Sequence, residues 1–190
     1  MSVEKLYPET GHNLPGKGVK EDPGAVANGY KENELTILFM DTVLEEYRKL
    51  GGDFQRDNDQ VSLASNIATI RKTIKHSDLI YSVHFNAATS KATGTETIVS
   101  NYAGVTSQEI AKDIAEVTSR VLGIANRGVK KEKDTPRRKL AILNLKGTAV
   151  LHEVCFITNP NDMEKFFKNY KTLAREIAVI LKYYDDLLNK

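Results

Sequence analysis

The chain has 190 residues, 41% of them hydrophobic and 27% charged, enough to bury one substantial core; a single domain over residues 1–190 is expected. The net charge of +2 gives no ground for nucleic-acid binding, and no apolar run approaches the roughly 18 residues of a membrane span. Cys155 is the one cysteine, which excludes an intramolecular disulfide.

Strand and helix patterns alternate along the chain. Val3 to Tyr7 is a candidate first strand that Pro8 should end. Gly11 to Gly29 is rich in glycine and has no period, so it is expected to be a long ordered loop, and such loops are usually functional. Leu35, Phe39, Val43, Tyr47 and Leu50 recur at helical spacing before Gly51-Gly52, which predicts a helix over 33–50. Asp53 to Arg56 is a short strand candidate. Leu63, Ile67, Ile70 and Ile74 mark a second amphipathic helix. Leu79 to Phe85 is expected to be a buried strand, with His84 near its carboxyl end.

Gly94 to Ser100, rich in β-branched residues, predicts another strand. Thr106 and Glu109 fit a capping box opening a helix on Ile110, Ile114, Val117 and Val121, with Gly123 as its stop. Asn126 to Lys139 is polar and basic. Leu140 to Leu143 and Thr148 to Phe156 are further strand candidates. Asn159-Pro160 has the form of a helix cap with proline in the first turn, and a final helix is expected over 172–188. The alternation predicts a three-layer α/β/α fold: a twisted, mixed, mostly parallel sheet of about six strands with helices on both faces.

In such sheets, sites form in the crevice at the strands' carboxyl ends. His12 follows the first strand, His84 ends the third, Glu153 lies late in the last, and Glu32 sits in the loop entering the first helix. Two histidines and a glutamate are the donor set of a catalytic zinc with a fourth position open, and a further carboxylate can move protons. The alternative is a loop histidine at position 12 and a packed core histidine at 84.

Six motifs in order then bear on that choice. Gly11-His12, Asp22-Pro23-Gly24-Ala25, Gly29-Tyr30-Lys31-Glu32, Ser82 to Ala87, Asn126 to Lys130 and Glu153 to Pro160 together resemble the zinc-dependent N-acetylmuramoyl-L-alanine amidases of the type-3 family. That family includes bacterial autolysins and phage endolysins. The resemblance implies one zinc ion on His12, Glu32 and His84, with Glu153 as the catalytic carboxylate. It implies peptidoglycan as substrate, cut between N-acetylmuramic acid and L-alanine. Departures are Glu9-Thr10-Gly11 where Asp-Pro-Gly is common, a longer stretch from Asn13 to Glu21, and Cys155 in place of glycine.

Other residues carry lesser expectations. Glu34 is a rival to Glu32 as ligand. Asn86 and Arg127 are candidate substrate contacts, Arg127 through a carboxylate of the stem peptide. His152 is expected to be packed, and His76 carries no functional claim. The basic run Lys130, Lys131, Lys133, Arg137, Arg138 and Lys139 is either a solvated loop or an attractor of anionic wall polymers. Competing functions are another zinc amidohydrolase or peptidase, a Cys155–His152 thiol enzyme, and a non-catalytic wall-binding module of the same fold. Without a signal peptide's apolar core in Met1–Lys5 and without a separate wall-binding domain, an endolysin held in the cytoplasm until release is expected, with a truncated autolysin as alternative. The sequence leaves the oligomeric state open.

Overall fold

A computed structural model describes residues 5–190. Val3 and Glu4, the start of the expected first strand, lie outside the described residues. β1 spans Leu6–Thr10 and is followed by a small hairpin, β2 (Val26–Ala27) and β3 (Tyr30–Lys31), which feeds directly into α1 (Glu32–Lys49). Next come α2 (Leu63–Thr73), β4 (Leu79–Asn86), β5 (Thr95–Val99), α3 (Val105–Leu122) and β6 (Asn126–Lys131). Two 3-10 turns, Glu132–Asp134 and Ala141–Asn144, lead to β7 (Thr148–Phe156) and α4 (Pro160–Leu188).

Among the described residues the main sheet has five strands, in the order β1-β4-β7-β5-β6. β1, β4 and β7 run parallel, so their carboxyl ends share one edge; β5 runs against β7, and β6 runs parallel to β5. The expected mixed, mostly parallel sheet between helices is what forms. On one face α1, α3 and α4 close a large core around Phe39, Tyr81, Ile110, Phe166 and Ile177. On the other, Ile67, Ile70 and Ile74 join Ile142 and Leu143 over Tyr7, Ile80 and Leu151.

Local chemistry explains the boundaries. α2 is capped by Ser62, whose hydroxyl accepts the Ser65 N–H, and α4 by Asn159, whose side chain accepts the N–H groups of Asn161 and Asp162. Gly123 ends α3 in the left-handed conformation, at φ 63°. Pro8 does not end β1. Leu6 and Thr10 direct their N–H groups to Asp53 O and Asp57 Oδ2, on the side away from β4, whereas Gly11 N–H donates to Val83 O of β4. The alternation turns the Pro8 nitrogen outward on this edge strand, where its missing N–H removes no rung.

Several expectations are corrected. Among the described residues the sheet has five strands, where about six were expected. Asp53 to Arg56 makes one bridge, Phe54 to Leu6, and no strand. Leu140 to Leu143 falls in a 3-10 turn: Ile142 and Leu143 are consecutive and enter the same core, which a strand's alternation forbids. β6 lies within the segment read only as polar and basic; it is an edge strand, where lysines are the usual guard against mispairing. Gly104, not a Thr106–Glu109 box, precedes α3, and Thr106 lies inside the helix. α4 is one 29-residue helix from Pro160, not a cap and a separate helix from Thr172. The loop from Gly11 to Gly29 contains β2 and is pinned by bridges Asn13–Asp22 and Gly16–Val19.

Candidate metal centre and cleft

The parallel strands β1, β4 and β7 deliver three of the expected residues to one edge. β1 stays paired to β4 through Gly11, and the chain then turns at His12, which adopts φ 71°. Gly11 has no substitute here: a Cβ would stand 2.4 Å from the His84 ring. The β2–β3 hairpin turns on Asn28 and Gly29, both at positive φ, as a two-residue turn requires. That turn places Glu32 at the first residue of α1.

Glu32 is the hub. Its Oε2 lies 3.1 Å from His12 Nε2 and its Oε1 lies 3.0 Å from His84 Nδ1. Each oxygen also accepts one backbone N–H, Oε2 from Ala25 at 2.9 Å and Oε1 from Phe85 at 3.1 Å. The donor atoms of His12, Glu32 and His84 all lie within 4.8 Å of one another. Gly24 keeps the wall thin, since a Cβ there would be 2.4 Å from His12 and 2.6 Å from Glu32. Glu34 faces solvent, 60% exposed beside Lys31, and takes no part in the cluster.

The electrostatics favour an added positive charge. Burial alone would raise the Glu32 carboxyl, but hydrogen bonds and charge from His12 and His84 outweigh it and hold Glu32 well below the usual carboxylate range. Burial would lower His84, yet Glu32, Glu153 and Glu9 push it up to about 9. His12 is raised against burial by Glu32 and by Asp22. Two nitrogens and a carboxylate oxygen at this spacing, in a field that draws protons onto the imidazoles, fit a divalent cation of the zinc type.

Glu153 is the register partner of His84 across β4 and β7. Its Oε2 is buried with no hydrogen-bond partner among the described residues. Burial pushes its carboxyl up to about 7; His84 opposes the rise, and Glu32 and Glu96 add to it. The cluster opens into a cavity of about 730 Å³, lined by Glu9, His12, Glu32, His84, Leu151 and Glu153 together with Arg137, Lys139, Leu140 and Ile142 of the β6–β7 connection.

Other expected residues take different places. Asn86 lines the cavity, but its Nδ2 donates to Glu96 Oε1 and its Oδ1 accepts the Ala87 N–H. Arg127 is not part of the lining: its Nε donates to Glu96 Oε2 at 2.7 Å, and its guanidinium lies over the Phe156 ring. His152 is fully buried. Thr118 and Thr95 donate their hydroxyl protons to Ile114 O and Glu153 O, so both oxygens accept from His152 Nε2–H, and Nδ1 accepts the Tyr81 O–H. That is a neutral imidazole, and burial pushes its pKa down to about 3. Cys155 is buried in the large core, and burial holds its thiol well above its ordinary range, which removes the thiol-enzyme reading.

Three residues with chemical work went unassigned in the sequence. Asp22 Oδ2 lies 3.0 Å from His12 Nδ1 and fixes that ring, the arrangement by which a carboxylate orients a metal-binding histidine. Glu9, buried in the cavity floor, accepts the Ser82 hydroxyl. Glu96 gathers Asn86, Arg127 and Lys130. The Asp22-Pro23-Gly24 motif was the one available signal for Asp22; a buried acid within a strand has none.

Comparison with known proteins identifies the family. The profile of a family described as N-acetylmuramoyl-L-alanine amidase matches residues 11–183. A Bacillus subtilis (strain 168) relative, the uncharacterized protein YqiI, is 30% identical over 187 residues, covering 95% of this chain and 84% of the relative. A probable autolysin, PH, of Staphylococcus aureus (strain NCTC 8325 / PS 47) is 28% identical over 177 residues; the match takes in 83% of this chain but 35% of that longer protein. The fold is shared with the catalytic domain of the CD27L endolysin targeting Clostridia difficile, at TM-score 0.75 and 22% identity, over 95% of this chain and 98% of that one. The chain thus belongs to the N-acetylmuramoyl-L-alanine amidase family and is a peptidoglycan amidase.

Proposed function

We propose that His12, Glu32 and His84 hold one zinc ion and that Glu153 is the catalytic carboxylate for hydrolysis of the muramoyl–L-alanine amide. The observation that carries this reading is the Glu32 carboxylate bridging both imidazoles, beside a Glu153 oxygen that has no partner among the described residues. An amide is a poor electrophile, and zinc in such a donor set supplies Lewis acidity and a water whose pKa falls to roughly 7.

The chain's own residues supply the rest. Glu153, with a buried oxygen that has no partner among the described residues, takes the proton from the attacking water and passes it to the departing alanine nitrogen. Asp22 keeps His12 in the tautomer that presents Nε2 to the cluster. The cavity is large enough to receive the lactyl–alanine junction and adjoining peptide. The setting in which we place the activity is the cell wall, during endolysin-type or autolytic wall breakdown.

Metal content measured beside release of alanine amino termini from isolated sacculi tests the assignment. Glu153→Gln should keep about one zinc per chain and lose activity about 10²- to 10⁴-fold, the range for a general acid–base group. His84→Ala should lose the metal itself. Full activity in Glu153→Gln, or bound zinc retained in His84→Ala, would overturn it, and wall binding with no alanine termini released would favour a non-catalytic module.

A further inference from the structure

Most cations around the cleft are already matched to acids. Arg127 and Lys130 both pair with Glu96, Lys31 pairs with Glu21, and Arg56 pairs with Asp41 and Asp59. Arg137 and Lys139 differ. Both line the cavity and are exposed, and among the described residues neither is in an ion pair, although the Lys139 charge helps hold the Glu132 carboxyl down.

Their segment is held in place. Glu132 is buried at its base and accepts the N–H groups of Asn101 and Leu140 and the Asn144 side-chain amide, so one carboxylate ties both ends of the connection to β5's outgoing turn. Above it, Arg138 N–H donates to Thr135 O, Lys139 N–H donates to Arg137 O, and Arg138 takes φ 58°, in the left-handed region unusual for a side-chain-bearing residue. A flexible solvated loop needs neither a buried anchor nor a strained tip.

We infer that Arg137 and Lys139 bind the free carboxylate of the stem peptide's second residue, on the alanine side of the scissile amide. This rests on the amidase reading above and adds the substrate feature that the cleft selects. Outside the proposed zinc ligands the acids of the cavity lining are Glu9, Asp22 and Glu153 and its cations are Arg137 and Lys139, so a peptide carboxylate away from the scissile amide is drawn toward the β6–β7 segment. A guanidinium and an ammonium two residues apart suit a carboxylate, the guanidinium through paired N–H donors.

The test uses two soluble muramoyl tripeptides that differ in one group: the second residue's carboxylate is free or amidated. The zinc-loaded protein should prefer the free acid by about tenfold in kcat/KM, the low end for charge-assisted contacts at an exposed site. In R137A/K139A the ratio of the two substrates should fall to about one, and in R137E/K139E it should invert. R137K should retain a preference for the free acid, which separates charge recognition from a folding defect. Equal rates on both substrates in the unaltered protein, or an unchanged ratio in the double variants, would overturn the inference while leaving the amidase reading intact. So would a defect confined to whole walls bearing phosphate polymers. Cleavage of neither tripeptide would refute the amidase reading itself.

Discussion

Replacing His152 with glutamine tests whether the strand bearing Glu153 is anchored by a neutral imidazole. Glutamine can donate to Thr95 and Thr118 and accept from Tyr81, but it does not titrate. Burial takes His152 from 6.5 to about 3. Between those values the unfolded chain binds a proton that the folded chain refuses, so the contribution to stability is whole above about 6.5 and is lost as pH falls toward 3. Each unit in that window is worth about 1.4 kcal/mol, so about 2 kcal/mol is lost between pH 7 and pH 5. That is a large share of the ~5–15 kcal/mol that holds a typical domain together. The assay is urea unfolding of the unaltered protein and His152→Gln at pH 7, 6 and 5, with chelator present. Glu153 and Asp57, both pushed up to about 7, act with opposite sign, and they cancel in the difference between the two proteins. The difference should move by about 2 kcal/mol in the variant's favour from pH 7 to pH 5. Parallel curves would refute the neutral, buried assignment.

Two further outcomes are expected at the proposed metal cluster. Asp22→Asn, at an exposed position, should lower the thermal stability of the metal-free protein only slightly and weaken zinc affinity about 10- to 100-fold, read by competition with a chromophoric chelator. Gly11→Ala should displace the His84 ring, because the new methyl group stands 2.4 Å from it; equilibrium dialysis should show loss of zinc while far-ultraviolet circular dichroism stays unchanged.

Much of the architecture was legible because it follows from period and punctuation. Val105–Leu122 and Thr148–Phe156 announce themselves by apolar spacing, and Gly123 and Asn159-Pro160 by the backbone conformations they favour. Illegible elements are those where tertiary context outweighs local pattern. β6 is polar because it is an edge, and the 3-10 turn at Ala141–Asn144 spends its apolar residues on one face. Pro8 misled because the direction of its nitrogen depends on which neighbour the strand pairs with. At the site, residue chemistry made His12, Glu32, His84 and Glu153 candidates, the family resemblance chose between the alternatives, and the fold brings the four together. Asp22 was missed because its partner histidine lies across a loop with no period. Arg127 and Asn86 were drawn toward substrate because the buried acid that both bind, Glu96, is separated from them by 31 and 10 residues.

The clasp made by Glu132 separates what must stay constant from what can vary. Its carboxylate accepts from Ser100, Asn101, Leu140 and Asn144, and between residues 133 and 139 only Thr135 hydrogen-bonds to Glu132, through the backbone carbonyl, so those seven positions form a cassette whose hinges are fixed from below. Chimeras that exchange only this stretch should inherit a donor enzyme's taste in peptide while keeping the recipient's metal and proton chemistry.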